Sequence, residues 1–278
     1  MTWQNSVSMF AGRAACPDAN SMVSAALVNK KTSSIDKFYA STHQTLTQID
    51  PKFLNTYGDE MAGLLFVGLI SSTEDYFRNI LGFILATCPK ARAHAADEKV
   101  QLGSLLWAKD QLQNRSAFEF MAFSSADNIS KALSKFACHN VRQGGAFDGM
   151  LKEYDKLCEL RHAVVHSGSY VAGKNAIKLA LRHSLQPLKV SLNYRNLQSA
   201  GSVCTALVQA ANIELFEAMI SRWAQDWRRL SSWDAEQEEK LFKNIRAGFF
   251  SKRDQSNRAI PIISSARLLE QIRDEYNL

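Results

Sequence analysis

From residue 33 onward the apolar positions of this chain recur at steps of three and four, the period of a helix buried along one side. Ser33 and Ser34 can cap a first helix through "IDKFYASTHQTLTQI". It stops before Pro51, whose ring disfavours helical geometry at Asp50. The longest periodic run follows, from about Asp59 to Cys88, with Phe66, Ile70, Thr73, Phe77 and Ile80 on one face and Pro89 at its end. A third helix is expected in part of Ala91 to Asp110. The stretch "SSADNISKALSKFAC" offers Ser124, Ser125 or Asp127 as a cap and Ile129, Leu133 and Phe136 for burial. After the turn "RQGG", the segment "AFDGMLKEYDKLCELRHAVVH" reads as a strong helix with Phe147, Leu151, Tyr154, Cys158, Arg161 and Val165 along one stripe. Gly168 terminates it.

Beyond residue 170 the pattern changes. "AIKLALRHSLQPLKVSLNY" holds two short stretches of partial alternation around Pro187, compatible with a small β-hairpin over 176–194. Helical periodicity returns over 202–230 (Val203, Leu207, Ala210, Ile213, Phe216, Met219, Ile220, Trp223, Trp227), with shorter helices at 233–250 and 264–276. No internal repeat is visible. The expected fold is mainly α: an antiparallel helical bundle over 34–170, with a helical C-terminal extension, 171–278, packing on it.

Composition narrows the function classes. The 278 residues are 46% hydrophobic, ample for a packed core, and five prolines with thirteen glycines are too few for the many turns of a sandwich or barrel. There is no GxxxxGK[ST] and no GxGxxG, so no phosphate loop or dinucleotide fingerprint. The opening "MTWQNSVSMFAGRAACPDAN" lacks a cationic segment followed by an apolar run. The longest uncharged apolar run reads as Met61 to Thr73, too short to cross a bilayer. Five scattered cysteines (Cys16, Cys88, Cys138, Cys158, Cys204) without CxxC spacing argue for reduced thiols and against a zinc site. These features lead to the expectation of a cytoplasmic protein without membrane contact, metal or cofactor. The net charge of +6 and pI near 9.0 fit a nucleic-acid partner. Lys240, Lys243, Arg246, Lys252, Arg253 and Arg258 stand against one acid, Asp254, with Phe249 and Phe250 among them. The run reads either as a solvated helix end and loop or as a strip that tracks RNA.

The chemistry concentrates in "ELRHAVVHSG", Glu159 to Gly168. Cleaving RNA without a metal needs a base for the ribose 2′-hydroxyl, a cation for the developing phosphorane and an acid for the leaving 5′-oxygen. Histidine suits the proton steps and arginine, with its planar fork, suits the phosphate. Arg161 and His166 supply one of each, about 140° apart around a regular helix. One such pair is a proton carrier short, so two chains meeting along this helix would complete a shared cleft. The plainer alternative is that both side chains only answer the helix dipole and its last carbonyls. His162 and His166 also have the i,i+4 spacing of metal ligands, but "HAVVH" lacks the glutamate of HExxH and a third ligand nearby.

"RHAVVH" resembles the R-x4-6-H motif of HEPN-domain ribonucleases, including a polar residue (His162) after the arginine. "EDYFR" gives Glu74 and Arg78, similar to the E-x3-K/R these proteins carry on an earlier core helix, and the order of helices is similar over roughly 34–170. The resemblance implies an all-helical, metal-independent endoribonuclease that dimerises around a composite cleft and leaves 2′,3′-cyclic phosphate and 5′-hydroxyl ends. It also implies a toxin or phage-defence setting, with an antitoxin or defence-system partner protein. By position, His166 would transfer protons, Arg161 would stabilise phosphate, His162 would line the cleft, and Glu74 would orient Arg161 or Arg78. Glu74 and Arg78 are equally readable as an i,i+4 ion pair. Some toxins of this superfamily carry a tyrosine two residues after the histidine as a modification site; here that position is Gly168, with Tyr170 nearest. The competing reading is a non-catalytic HEPN-like module that binds RNA or protein.

Overall fold

The computed structural model describes Ala14 and residues 17–24, 32–47, 49–107 and 113–278. The opening residues 1–13, Cys16 and residues 108–110 of the expected third helix lie outside them. The chain forms two compact units, Met1–Lys30 and Lys31–Leu278. In the first, Ala19–Met22 make one 3-10 turn capped by Asp18. Everything below concerns the second, which is mainly helical.

Asp50 caps and Pro51 opens a helix that runs, with α1 (Ser34–Thr47) before it, as α2 (Pro51–Thr87). Proline at the first helical position loses nothing, because its missing N–H would be unpaired there anyway. Gly58, at φ 71° and ψ −169°, interrupts α2, so the uniform part begins at Asp59 as the periodicity predicts. Phe66, Ile70, Thr73, Phe77 and Ile80 are all buried. In place of one third helix there are two short ones among the described residues, α3 (Pro89–His94) and α4 (Leu102–Trp107), followed by α5 (Gln113–Ser116). Ser125 caps α6 (Ala126–Ala137). The seventh helix, α7 (Ala146–His166), lies antiparallel to α2. Phe77 stacks on Phe147 near one end (ring centroids 6.3 Å), and Gly63 of α2 approaches Val164 near the other. A Cβ at Gly63 would lie 3.1 Å from Val164 Cγ1, so the glycine permits this close crossing.

The expected hairpin over 176–194 does not form. Gly173–Lys178 is a short helix, α8, and the returning chain makes one isolated antiparallel bridge, Tyr170 to Lys189. The alternation is real, but its apolar side (Leu188, Val190, Leu192) faces a cavity lined by α2, α7 and the next helix in place of another strand. Nor do residues 171–278 form an outer layer only. The next helix, α9 (Tyr194–Gln225), packs against α1, α2 and α7, with Leu197, Cys204, Leu207, Leu215 and Trp223 in the common core. Its stretch Asn196–Ile213 carries no charged residue, a longer uncharged run than Met61–Thr73. Among the described residues α9 is the one helix long and apolar enough to cross a membrane.

Three further helices, α10 (Glu238–Phe249), α11 (Lys252–Ser256) and α12 (Ser265–Tyr276), close the unit. Buried Glu238 pairs with both Arg228 and Arg273, tying the turn after α9 to α10 and α12, and Arg228 lies between the Trp223 and Trp233 rings, 5.1 Å from each.

Candidate functional site at the free end of α7

The apolar stripe of α7 holds Phe147, Leu151, Tyr154 and Cys158 in the core and then runs past it. Arg161 is half-buried, while Val165, expected on the buried face, is 44% exposed. The helix stops at once after His166. The Ser167 and Ser169 N–H groups both donate to the Ala163 carbonyl (3.1 and 3.0 Å), and Gly168 takes the left-handed turn at φ 57°. His162 and His166 are both exposed and their rings face one another with centroids 4.9 Å apart. This end of α7 therefore presents two neighbouring histidines within one protomer, on the turn after an arginine. No group of three His, Cys, Asp or Glu side chains able to hold a metal ion gathers among the described residues.

Arg161 is unlike the other buried and half-buried arginines. Arg78 donates to Glu74 and to the Met121 carbonyl, Arg115 pairs with Asp75, Arg222 donates to the Cys138 carbonyl, and Arg246 donates to Ser265 and the Ile263 carbonyl. Arg161 makes no hydrogen bond or ion pair among the described residues; its Nε is buried and unpaired, as is that of Arg228, but Arg228 keeps an ion pair to Glu238 and Arg161 has none. A buried N–H without an acceptor costs about 1–3 kcal/mol, and more for a charged group. A fold that keeps a guanidinium so arranged leaves it able to receive an anionic acceptor.

Glu74 and Arg78 meet as an ion pair at 2.9 Å, with side chains only 12% and 17% exposed, so the i,i+4 pairing is what the structure holds. Arg78 also lies over the Phe123 ring at 5.5 Å, and the Tyr154 hydroxyl donates to the Phe123 carbonyl at 3.3 Å. The pair thus braces the segment before α6 against α2 and α7. It makes no hydrogen bond to Arg161. Burial holds the Tyr154 phenol well above its usual value and pushes the Cys158 thiol up, so this cysteine is no nucleophile beside Arg161.

The basic run 240–258 is scattered by the fold. Arg246 is spent on Ser265 and the Ile263 carbonyl and stacks on Phe250 at 4.9 Å; Lys243 pairs with Glu239. Arg253 lies 4.9 Å over the Tyr39 ring and donates to the Tyr39 carbonyl. Lys240, Lys252 and Arg258 are exposed.

Sequence reasoning missed a larger feature next to the α7 site. Between Glu159 and Glu214 there is no acidic residue at all, and a count of acids along the chain would have shown it. That stretch folds along α7: the Asn175 side-chain amide donates to the Glu159 carbonyl at 3.2 Å, and Lys178 pairs with the Glu159 carboxylate. No family model, no curated protein and no solved structure matches this chain.

Proposed function

We propose that the chain is a metal-independent endoribonuclease of the HEPN type, working as a symmetric dimer in the cytoplasm as a toxin or phage-defence effector, with an antitoxin or defence protein as a further partner. The observation that carries this reading is the half-buried, unpartnered Arg161 guanidinium beside the exposed His162–His166 pair at the free end of α7. In this reading His166 takes the proton of a ribose 2′-hydroxyl. The 2′-oxygen attacks the adjacent phosphorus, and Arg161 holds the two non-bridging oxygens as negative charge builds on them. The departing 5′-oxygen takes a proton from His162 or from the second protomer's histidine, which leaves a 2′,3′-cyclic phosphate and a 5′-hydroxyl. Glu74 and Arg78 then serve as a structural pair that keeps the middle of α7 in place.

The test is cleavage of RNA in the presence of a chelator by the wild type, Arg161→Ala and His166→Ala. Removing a proton carrier is expected to slow cleavage by about 10²–10⁴-fold, with mass spectrometry of wild-type products showing cyclic phosphate ends. Induced expression is expected to arrest growth for the wild type but not for His166→Ala. Cleavage at the wild-type rate by both variants overturns the reading. RNA binding without cleavage by the wild type replaces it with a non-catalytic binding module.

A further inference from the structure

The chain's charge is not spread over its surface. The net +6 comes from 33 Lys and Arg against 27 Asp and Glu, and the acid-free stretch alone holds Arg161, Lys174, Lys178, Arg182, Lys189 and Arg195. The rest of the molecule is therefore neutral, with 27 residues of each sign. Among the described residues, two carboxylates bond to this stretch. Glu159 pairs with Lys178, and Asp59 accepts from Ser191 Oγ at 3.4 Å. Lys174, Arg182, Lys189 and Arg195 are exposed and make no ion pair among the described residues. Such one-signed surface is the electrostatic footprint of a polyanion.

Beneath it lies a cavity of about 550 Å³, within the size range of small-ligand sites. Its walls are Leu157 and Leu160 of α7, Phe66 of α2, Val203 of α9, and the returning strand-like segment; Arg182 and Lys189 stand among its lining residues. Leu157 and Leu160 bring the cavity to the helix that carries the candidate site, one residue before Arg161 in sequence. It also has polar groups to spare. Asn196 uses its side-chain oxygen to accept from the Asn193 N–H in the cap of α9, which leaves its amide Nδ2 without a hydrogen bond among the described residues. Ser199 adds an exposed hydroxyl. Apolar walls, two unpaired cations and an amide are the parts needed to seat an unstacked base with its phosphate. A base held in a duplex cannot enter such a cavity, because its faces and pairing edge are occupied.

The geometry points to a nucleotide-binding cavity between α7, α9 and segment 181–192, which takes one unpaired nucleotide of single-stranded RNA, with Arg182 and Lys189 on the phosphates. This rests on the ribonuclease reading for its purpose but not for its test. The cavity places the bound strand against α7, the helix that carries Arg161 and His166, and it makes the acid-free stretch the RNA-tracking surface in place of the run 240–258.

The experiment uses the full chain and a fluorescent single-stranded RNA of about 12 nucleotides, 2′-O-methylated throughout so that it cannot be cleaved. Fluorescence anisotropy is read for the wild type, for Arg182→Glu with Lys189→Glu, and for Lys240→Glu with Lys252→Glu, which changes net charge equally. All four residues are exposed, and circular dichroism checks that each variant folds. The first double variant is expected to lose about tenfold or more in affinity, with a shallower salt dependence, and the second about twofold. The wild type is expected to bind the single strand more tightly than the duplex of the same sequence, and Ser199→Trp, which fills the cavity, to erase that preference. Equal losses in the two double variants, or no single-strand preference, overturn the inference. So does retention on vesicles of acidic phospholipid with no RNA binding, which would make the surface a membrane contact. Failure of the ribonuclease reading shows elsewhere, as wild-type cleavage by Arg161→Ala and His166→Ala.

Discussion

Glu238 and Arg161 are opposite cases of a charge drawn into a helical core. Glu238 is 6% exposed and is satisfied twice, by Arg228 and by Arg273, and Arg228 is further held between two indole rings. Removing its charge leaves two guanidinium groups facing a neutral amide. Glu238→Gln is therefore expected to lower stability by about 1.5–3 kcal/mol, the range for hydrogen bonds to charged groups; the partial exposure of Arg273 keeps the figure below that of a sealed pair. Urea unfolding checks it, and a shift below about 0.5 kcal/mol, the scatter of surface substitutions, would show the clamp to be ornamental. Arg161 has no such partner, so its burial serves no interaction that the described residues supply. At this scale the sequence was readable where chemistry depends on spacing: "RHAVVH" puts His162 and His166 four apart, and the rings do meet. It was unreadable where partners come from afar, because nothing in "EDYFR" announces that Arg78 also reaches the Met121 carbonyl.

Elements follow the same division. The helices with local signals lie where periodicity and caps put them: Asp50 and Pro51 open α2, Ser125 caps α6, and Gly168 ends α7. The segment 176–194 misled because period two reports only that one side of an extended chain is buried, and says nothing of what buries it. Leu188, Val190 and Leu192 face a cavity lined by α7 and α9, so the alternation made no hairpin. In α9, uncharged positions on every side blurred the period, since the helix is packed against several neighbours at once. Gly58 supplies a prediction at this scale. It breaks α2 at φ 71°, ψ −169°, a region open in practice only to glycine, yet an added Cβ would meet nothing within 4 Å. Gly58→Ala thus tests backbone strain without steric crowding. It is expected to cost on the order of 1–3 kcal/mol, seen as a lower urea midpoint with an unchanged slope; an unchanged midpoint would mean that the break relaxes into continuous helix.

At the scale of the whole molecule, the core is built from groups that resist giving up protons, which sets an alkaline limit to the fold. Burial pushes the Tyr39 phenol up to about 12, with Asp254 adding to the effect while the hydrogen bond from Gln209 opposes it. Burial likewise raises Cys204 to about 11 and holds Tyr76 and Tyr154 well above their usual value. In the unfolded chain these groups ionise near their ordinary values, about 8.5 for Cys and about 10 for Tyr. Above those values the unfolded state therefore binds fewer protons than the folded one, and stability falls as pH rises. The stabilisation is complete at neutral pH and is lost progressively from about pH 9 through about 12. Lys37 works the other way, because burial lowers its pKa and so favours folding as pH rises, but the phenols and thiols that burial raises, Cys158 and Cys138 included, outnumber it. The expected curve of unfolding free energy is flat around neutrality and descends steadily on the alkaline side. Tyr39→Phe separates the contributions. It removes the hydrogen bonds to Asp254 and from Gln209, so it starts less stable at neutral pH. It also removes one titrating group worth up to about 2–3 kcal/mol, so its descent between about pH 10 and 12 is shallower and the two curves converge. Parallel curves would mean that Tyr39 titrates in the folded state as it does in the unfolded one, and that the alkaline limit belongs to Tyr76, Tyr154 and Cys204.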